Sequence, residues 1–236
     1  MSVARVAALD AYTVYANDMG LALPLSTDIR RVGDLETAMA RRREDMIAGT
    51  RTKLIAAARR AFATRGYGAS AMEDITADAG LTRGALYHHF DGKRGLLEAV
   101  IAQIDDEMND RLTAVVDRAE TRWQGFLDEL ATYVQMASEP EIQRIILLDG
   151  PAILGDPAQW NRQMACVRTT QRSLELLVEE GTIGDIDTAS MARLISAAAL
   201  SGSLSIAAAE DPRSVSRQVV ESLVRLVSGL KSVRRP

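Results

Sequence analysis

The segment Ser70–Lys93, SAMEDITADAGLTRGALYHHFDGK, decides how the rest of the chain is interpreted. Ser70 and Glu73 have the spacing of a capping box, which predicts that a helix begins here. The apolar residues that would share the inner face of this helix are Met72, Ile75 and Ala79. Gly80 follows, and because glycine adopts positive φ freely, it predicts a tight turn after the helix.

The second half of the segment predicts a short helix with a polar outer face. Thr82 would cap this helix, which would run from about Arg83 to His88. The residues expected to face inward are Leu81, Ala85 and Leu86. The residues left pointing outward are Thr82, Arg83, Gly84, Tyr87 and His88. A short helix with a polar tip behind a tight turn has the geometry that enters a DNA major groove, so the segment predicts a helix-turn-helix.

Two quoted stretches resemble a known family. GLTRGALYHHFDGK is similar to the recognition helix and following turn of the TetR-like transcriptional repressors, and TRTKLIAAARRAFATRGYGASAMEDI is similar to the preceding helices. The likeness covers about residues 50–100, and the rest resembles the family in being helical and of suitable length. Thr76 is a departure, because the family more often has Ala there.

Composition and charge fit a soluble DNA-binding protein with a separate second domain. The chain has 236 residues, 47% of them hydrophobic and 25% charged, and a net charge of −4. Residues 39–100 contain 11 Lys and Arg against 7 Asp and Glu, whereas residues 101–236 contain 14 against 20. Uneven charge can arise by chance, but here the basic part coincides with the helix-turn-helix, which favours a DNA-binding module joined to an acidic domain.

Catalysis, metals and membranes are not expected. Cys166 is the one cysteine, so neither a disulfide framework nor a cysteine-rich metal site is expected. His88 and His89 are adjacent, and neighbours on a helix point about 100° apart, so they would not share one ion. The longest uncharged run, 194–209, is short for a membrane span, and no signal peptide is evident. We therefore expect a cytoplasmic protein that is not an enzyme, with no cofactor and no metal.

The candidate DNA contacts divide into base readers and phosphate binders, because phosphates supply most of the affinity and base edges supply specificity. Those expected nearest the base edges are Thr82, Arg83, Gly84 and His88. Arg83 is the candidate for a bidentate contact to guanine. Those expected to bind phosphates are Tyr87, the Thr82 hydroxyl and Lys93, the last by resemblance to the family's lysine at this position. Further DNA-contact candidates are Thr50, Arg51 and Ser70.

Four regions are predicted along the chain. Residues 1–38 would be a poorly ordered or weakly helical extension, residues 39–92 the DNA-binding domain, residues 93–230 an effector-binding and dimerisation domain, and residues 231–236 a basic tail. Met39 is a possible native start, because MARRREDMIAGTRTKL looks like a usual beginning for the family. The three arginines of that stretch would either follow phosphates or a minor groove, or form a solvated charge run.

The fold class predicted is all-α. The first helix would span residues 50–65 and end at Gly66, and a long helix from Asp91 to about Val116 would belong to both domains. Later helices are predicted at 121–137, 139–154 (interrupted at 149–151), 157–180, 188–209 and 212–230. The last two are rich in small and apolar residues, which favours a four-helix dimer interface; burial within one chain is the alternative. The interface candidates are Leu194, Ala198, Ser201, Gly202, Ser205, Val215, Val219, Leu223, Leu226 and Leu230.

The resemblance also implies a mostly apolar ligand cavity between the helices that begin near Lys93, Thr121, Glu139 and Pro157. The lining candidates are Ile104, Met108, Trp123, Phe126, Tyr133, Leu148, Trp160, Met164, Arg168 and Gln171; each could equally be core. The interpretation is a homodimeric repressor that a small apolar or amphipathic effector releases from a near-palindromic double-stranded operator. The alternatives are a constitutive DNA-binding dimer without an effector and, from another class, an all-helical enzyme using the apolar cavity.

Overall fold

The computed structural model describes residues 25–231, and this part of the chain is helical, which confirms the predicted all-α class. Its α-helices are α1 (Leu25–Ala69), α2 (Met72–Asp78), α3 (Arg83–His89), α4 (Gly92–Asp117), α5 (Arg122–Met136), α6 (Gly150–Leu154), α7 (Asn161–Glu179), α8 (Thr188–Ala207) and α9 (Pro212–Ser228). A π-helical segment, Ile142–Asp149, precedes α6, and a 3-10 turn, Pro157–Gln159, precedes α7.

The chain divides into two units, residues 1–49 and residues 50–236. In the first unit, residues 25–49 belong to α1, so the part of the predicted extension from 25 to 38 is helical, and residues 1–24 lie outside the described range. The side chains at 41–43, the three arginines, are exposed there. In the second unit, Lys231 forms an isolated antiparallel bridge with Ile183, and the rest of the basic tail lies outside the described residues.

The helix-turn-helix forms as the sequence predicts at its turn and second helix. Gly80 has φ +65°, the left-handed conformation that a side chain disfavours. Thr82 is the N-cap of α3, and its hydroxyl accepts a hydrogen bond from the Ala85 amide at 3.3 Å. This cap satisfies one of the amides that the first turn of a helix leaves unpaired.

The predicted capping box at the start of α2 is wrong. Ala71, not Ser70, is the N-cap, and no side chain bonds the first turn. The Ser70 hydroxyl instead donates to the Gly66 carbonyl at 2.7 Å, within a buried environment. Gly66 has φ +80° and ψ 165°, which are not helical values, so the first helix is interrupted at Gly66, where the sequence predicts its end, and a short helical turn follows to Ala69. The bend supplies Ser70 with a backbone acceptor that the spacing rule does not consider.

A small core fixes α3 against its neighbours. The largest buried side chains around it come from α1, α2, α3 and the residue after α3: Leu54, Phe62, Ile75, Leu86 and Phe90. The core continues along α4, whose buried residues are Leu96, Leu97, Val100, Ile101, Ile104 and Met108. Helix α4 therefore starts beside the helix-turn-helix and continues among the helices that follow it.

The chain remains helical where the sequence predicts an interruption at 149–151. Residues Ile142–Asp149 are π-helical, and Gly150 continues with helical φ and ψ into α6. A Cβ at Gly150 would lie 2.8 Å from the Trp160 ring, so the glycine allows Trp160 to pack over this helix. A π-helix inserts an extra residue into the turn, and hydrophobic periodicity alone does not predict it.

Helices α8 and α9 pack closely within the chain. A Cβ at Gly202 would come 2.5 Å from Val219 Cγ1, so a glycine is needed for this approach. By length and composition α8 is apolar enough to cross a membrane, with a mean hydropathy of 1.2 over its most apolar window. A core helix meets the same criterion, and α8 packs against α7 and α9.

Candidate nucleic-acid interface and ligand cavity

The outer face of α3 presents the side chains that the sequence places there. Leu86 is fully buried and Ala85 and Leu81 are partly buried, so they attach the helix to the core. The exposed residues of the face are Thr82, Arg83, Gly84, Tyr87 and His88. The helix is too short to be stable alone, so its anchoring by Leu86 is what holds this polar face in position.

Arg83 is held at the outer face by two neighbours. Its guanidinium donates to the Glu73 carboxylate of α2 at 2.6 Å and to the Tyr87 hydroxyl at 3.4 Å. The hydrogen bond with Tyr87, followed by the charge of Glu73, raises the pKa of Arg83, which therefore stays protonated. To reach a base edge, Arg83 must exchange the Glu73 carboxylate for the nucleic acid.

Gly84 leaves an open surface between Thr82 and Tyr87. A Cβ at Gly84 would meet only the Thr82 hydroxyl, at an ordinary distance of 3.8 Å. The backbone conformation and the packing of the protein therefore do not require a glycine at position 84. The absence of a side chain does let another molecule approach the α3 backbone closely.

Two cationic candidates for DNA contacts, Arg51 and Lys93, make contacts within the chain that stabilise the helix-turn-helix. The Arg51 guanidinium donates to the His89 carbonyl at the end of α3, at 3.0 Å, and lies 4.3 Å from the centre of the Phe90 ring. Lys93 lies 4.3 Å from the Tyr67 ring and donates weakly to the Gly68 carbonyl at 3.5 Å. Burial lowers the pKa of Lys93 from its ordinary value. Arg51 thus contacts the end of α3, whereas Lys93 contacts the end of α1.

Thr50 and Ser70 do not join the exposed face in the same way. Ser70 is 1% exposed, and its hydroxyl is engaged by Gly66, so the structure does not present this side chain to a DNA backbone. Thr50 is half-buried near the middle of α1. The spacing rules place both residues near the motif but do not determine where their side chains point.

A polar junction joins α1 to α4 and the π-helical segment. Arg59 donates to both oxygens of Glu141 at 2.7 Å and to Glu107 on α4 at 2.5 and 2.8 Å. These bonds raise the pKa of Arg59 and lower that of Glu107. The Tyr67 amide donates to the Asp149 carboxylate at 2.7 Å, at the other end of the π-helical segment. None of this junction was predicted from the sequence, because its members lie up to 82 residues apart.

A cavity lies between α4, α5, α7 and α8. Its lining residues are Leu112, Phe126, Glu129, Leu130, Tyr133, Gln163, Cys166, Thr170, Ser196 and Ala199. The enclosed space is small, about 30 Å³, enough for roughly two water molecules. A larger ligand would therefore have to displace side chains or move the surrounding helices.

Two of the ten ligand candidates, Phe126 and Tyr133, line this cavity, and the other eight do not. Those with exposed side chains are Leu148, Met164 and Arg168. Those packed elsewhere in the domain are Ile104, Met108, Trp123 and Trp160. Gln171 donates to Glu175 on its own helix at 3.0 Å. Helical periodicity identifies which face of a helix is apolar. It does not show how that helix is rotated relative to its three neighbours, so the residues that line the cavity could not be predicted from periodicity.

The polar residues that line the cavity are not predicted by the sequence analysis. Burial raises the pKa of the Glu129 carboxyl and of the Tyr133 hydroxyl, and it also raises the pKa of the Cys166 thiol. The Ser196 hydroxyl is buried and has no hydrogen-bond partner among residues 25–231. A signal did exist at Glu129, because it interrupts the apolar face that α5 forms with Phe126 and Tyr133, at spacings of three and four.

The dimer candidates fall on two different faces. Leu194 and Leu226 are 65% and 66% exposed, and Ser201 and Ser205 are exposed on the same helix as Leu194. The half-buried or buried candidates face the chain's own core: Ala198, Gly202, Val215, Val219, Leu223 and Leu230. The close contact of Gly202 with Val219 is therefore a contact within one chain, as the alternative interpretation had it.

Two family models match the chain. The model described as "Bacterial regulatory proteins, tetR family" matches residues 54–100, which include α2, α3 and the start of α4. The model described as "Tetracyclin repressor-like, C-terminal domain" matches residues 123–230. The two matches together include the recognition helix and most of the cavity.

Relatives and solved structures agree with these matches. The chain is 40% identical over 68 residues to the transcriptional regulator TtgR of Pseudomonas putida, covering 29% of this chain and 32% of TtgR. It is 35% identical over 69 residues to the transcriptional repressor KstR2 of Rhodococcus jostii, covering 29% and 34%. The chain thus spans about a third of the length of each of these curated relatives. A TetR-family regulator structure from Pectobacterium atrosepticum is 43% identical, covers 81% of this chain and 98% of that one, and has a TM-score of 0.75.

Proposed function

Because the chain belongs to the TetR family of DNA-binding transcriptional regulators, we propose that it is a homodimeric repressor released from its operator by a small ligand. The operator would be a near-palindromic duplex, since a dimer presents two recognition helices about one turn of DNA apart, roughly 34–36 Å. The ligand would be apolar or amphipathic. The relative KstR2, which is named a repressor, supports the direction of regulation.

The observation that carries this proposal is the outer face of α3. Its exposed residues combine a charged guanidinium, a hydroxyl, a phenol and an imidazole around the bare backbone of Gly84. Arg83 would read guanine, while Thr82, Gly84 and His88 would contact neighbouring base edges. Tyr87, Lys93 and the Thr82 hydroxyl would bind phosphates. Arg51 would lie near the DNA backbone while its hydrogen bond stabilises the end of α3. Ser70 is not included among the proposed DNA contacts.

The exposed leucines support the homodimer. Leu194 on α8 and Leu226 on α9 leave two large apolar side chains in water, and the exposed serines of α8 are small enough for a close helix approach. Burying such a patch against a second copy would remove apolar surface from solvent. A partner with the same patch satisfies the self-complementarity of a two-fold interface.

Release by ligand would be transmitted through α4. Leu112 lines the cavity, and the same helix begins at Gly92 beside the recognition helix. Expansion of the small cavity would push on α4 and alter its angle to α1, where Arg59 holds Glu107. The ligand must bind better to the conformation that does not fit DNA, and the coupling is typically about 1–3 kcal/mol. We place the protein in the cytoplasm, where its DNA target would be.

A constitutive DNA-binding dimer without an effector is the second candidate. The observation that favours it is the size of the cavity, which in this conformation holds about 30 Å³. The two candidates differ in whether any small molecule lowers the affinity for the operator. They make the same prediction about α3 and about the dimer.

The function is tested by selecting binding sites from random duplex DNA with the purified full-length protein. The proposal predicts enrichment of one near-palindromic sequence with half-sites about 10 base pairs apart, centre to centre. The Arg83→Ala variant is expected to relax the choice of base at one position in each half-site. Recovery of unrelated sequences by the wild type would overturn the assignment of sequence-specific regulation.

The dimer is tested separately by sedimentation velocity. The Leu194→Glu, Leu226→Glu double variant is expected to sediment as a monomer at concentrations where the wild type is a dimer. Leu148→Glu is the matched control, because Leu148 is also an exposed leucine, 44% accessible, but lies in the π-helical segment. A double variant that remains dimeric would place the interface on another face.

A further inference from the structure

The cavity between α4, α5, α7 and α8 contains an acidic group with no counter-charge. Glu129 is the charged member of the lining formed by residues whose side chains the structure describes, and those residues include no Lys, Arg or His. Within the described residues, the Glu129 carboxylate has neither an ion-pair partner nor a hydrogen-bond donor. Glu129 is partly buried, and burial raises the pKa of its carboxyl, so a positively charged partner would stabilise its ionised form.

Other groups around the cavity also favour a donor or a positive charge. The Ser196 hydroxyl is 95% buried by residue and unpartnered, so it can accept or donate one bond to a ligand. Phe126 and Tyr133 line the cavity on the same face of α5 as Glu129, and aromatic faces attract cations.

We propose that the cavity binds an apolar or aromatic ligand carrying one protonated amine, whose ammonium group is held by the Glu129 carboxylate. The proposal rests on the effector role given above to this cavity, and it names the chemical class of the effector. The ammonium supplies the missing counter-charge, Phe126 and Tyr133 cover it, and Ser196 takes one of its remaining N–H donors. The apolar part of the ligand packs against Leu112, Leu130 and Ala199.

This class also accounts for release from DNA. The ligand is larger than the closed cavity, so its apolar part must displace Leu112 on α4 or the helices around it. The ion pair with Glu129 supplies binding energy to the conformation in which the cavity is expanded. The free energy of opening is thus offset by a contact that exists only in the ligand-bound conformation.

The test uses three probes of equal carbon skeleton: 4-phenylbutylamine, 4-phenylbutanol and 4-phenylbutanoate. Their affinities for the full-length protein are measured by isothermal titration calorimetry at pH 7. The amine is expected to bind at least about tenfold more tightly than the alcohol, as a charge-assisted contact predicts, and the acid more weakly than both. In Glu129→Gln the preference for the amine should disappear, whereas the exposed control Glu210→Gln should keep it.

Two readouts separate this inference from the proposed function. The first readout is the calorimetric preference for the amine over the alcohol, compared between the wild type and Glu129→Gln. Binding of selected operator DNA is measured on the same samples. Equal binding of all three probes, no binding of the amine, or a preference that survives Glu129→Gln overturns the ligand class. Operator binding that persists in those cases leaves the regulator assignment standing.

Discussion

The exposed face of α3 and the cavity between α4, α5, α7 and α8 show opposite uses of polar residues. On α3 the polar side chains are exposed and surround a bare glycine, and one buried leucine holds the helix in place. In the cavity the polar groups are buried or partly buried among apolar ones, and the Ser196 hydroxyl has no hydrogen-bond partner within residues 25–231. Exposed polar groups are hydrated at little cost, whereas a buried polar group without a hydrogen-bond partner destabilises the protein.

The largest effect is expected from removing the anchor of α3. Leu86 is 0% exposed, so Leu86→Ala should lower the free energy of unfolding by about 2–5 kcal/mol. Urea denaturation followed by circular dichroism measures this change. Since α3 depends on its packing, DNA binding should fall with it. A variant of wild-type stability would show that the outer face is positioned by something other than this anchor.

Gly84→Ala should separate binding from stability. The fold has room for the methyl group, and alanine is the better helix former, so stability should stay or rise by up to about 1 kcal/mol. Affinity for the operator should fall by about tenfold or more, because the methyl group keeps the α3 backbone away from the base edges. Gly184→Ala, at a glycine that also has open space around it, is the control. Unchanged DNA affinity in Gly84→Ala would remove this helix face from the interface.

Glu129→Gln should stabilise the free protein at neutral pH by about 1 kcal/mol, the size common for single substitutions. Burial raises the folded-state pKa of Glu129 above its ordinary value of 4.5, so the ionised form destabilises the native state as pH rises through that folded pKa. The gain should therefore vanish below pH 4.5, where the carboxyl is protonated in both states. Thermal unfolding from pH 4 to pH 8 measures it, with Glu210→Gln as the control. A constant difference across this range would contradict the buried, unpaired carboxyl.

Arg59→Met should show the opposite dependence on pH, with a smaller effect of about 1 kcal/mol or less, because the partners are partly exposed. Hydrogen bonds from Arg59 hold the pKa of Glu107 below its ordinary value of 4.5. The stabilisation is therefore present above pH 4.5 and is lost as pH falls through the lower folded pKa. Wild type and variant should converge in acid when their unfolding is compared by urea titration. Arg118→Met, an exposed arginine at the end of α4, should show no such convergence.

The sequence predicted the helix-turn-helix more completely than the cavity, for a physical reason. The turn at Gly80, the cap at Thr82 and the inward face of α3 depend on neighbours a few residues away, and all appear as predicted. Ser70 was misassigned because the bend at Gly66 gave its hydroxyl a closer acceptor. Even a local rule fails when the backbone nearby offers a competing bond.

The cavity depends on how four helices are rotated against one another, and periodicity does not contain that information. Phe126 and Tyr133 were predicted to line it, but Glu129, Thr170 and Ser196 were not. The π-helical segment adds to the difficulty, since its wider turns change which side chains face inward between Ile142 and Asp149. The junction at Arg59 is likewise a product of tertiary packing between residues 48 and 82 positions apart.

The most direct measurement is fluorescence anisotropy of the selected operator and of a scrambled duplex, across a salt series, with the Arg83→Ala, Tyr87→Ala double variant. The wild type is expected to bind the operator about 10³-fold or more tightly than the scrambled DNA, and the double variant to lose that preference while remaining folded. Arg172→Ala, an exposed arginine on α7, should behave as wild type. Equal binding of both duplexes by the wild type, or an unchanged preference in the double variant, would contradict sequence reading by α3.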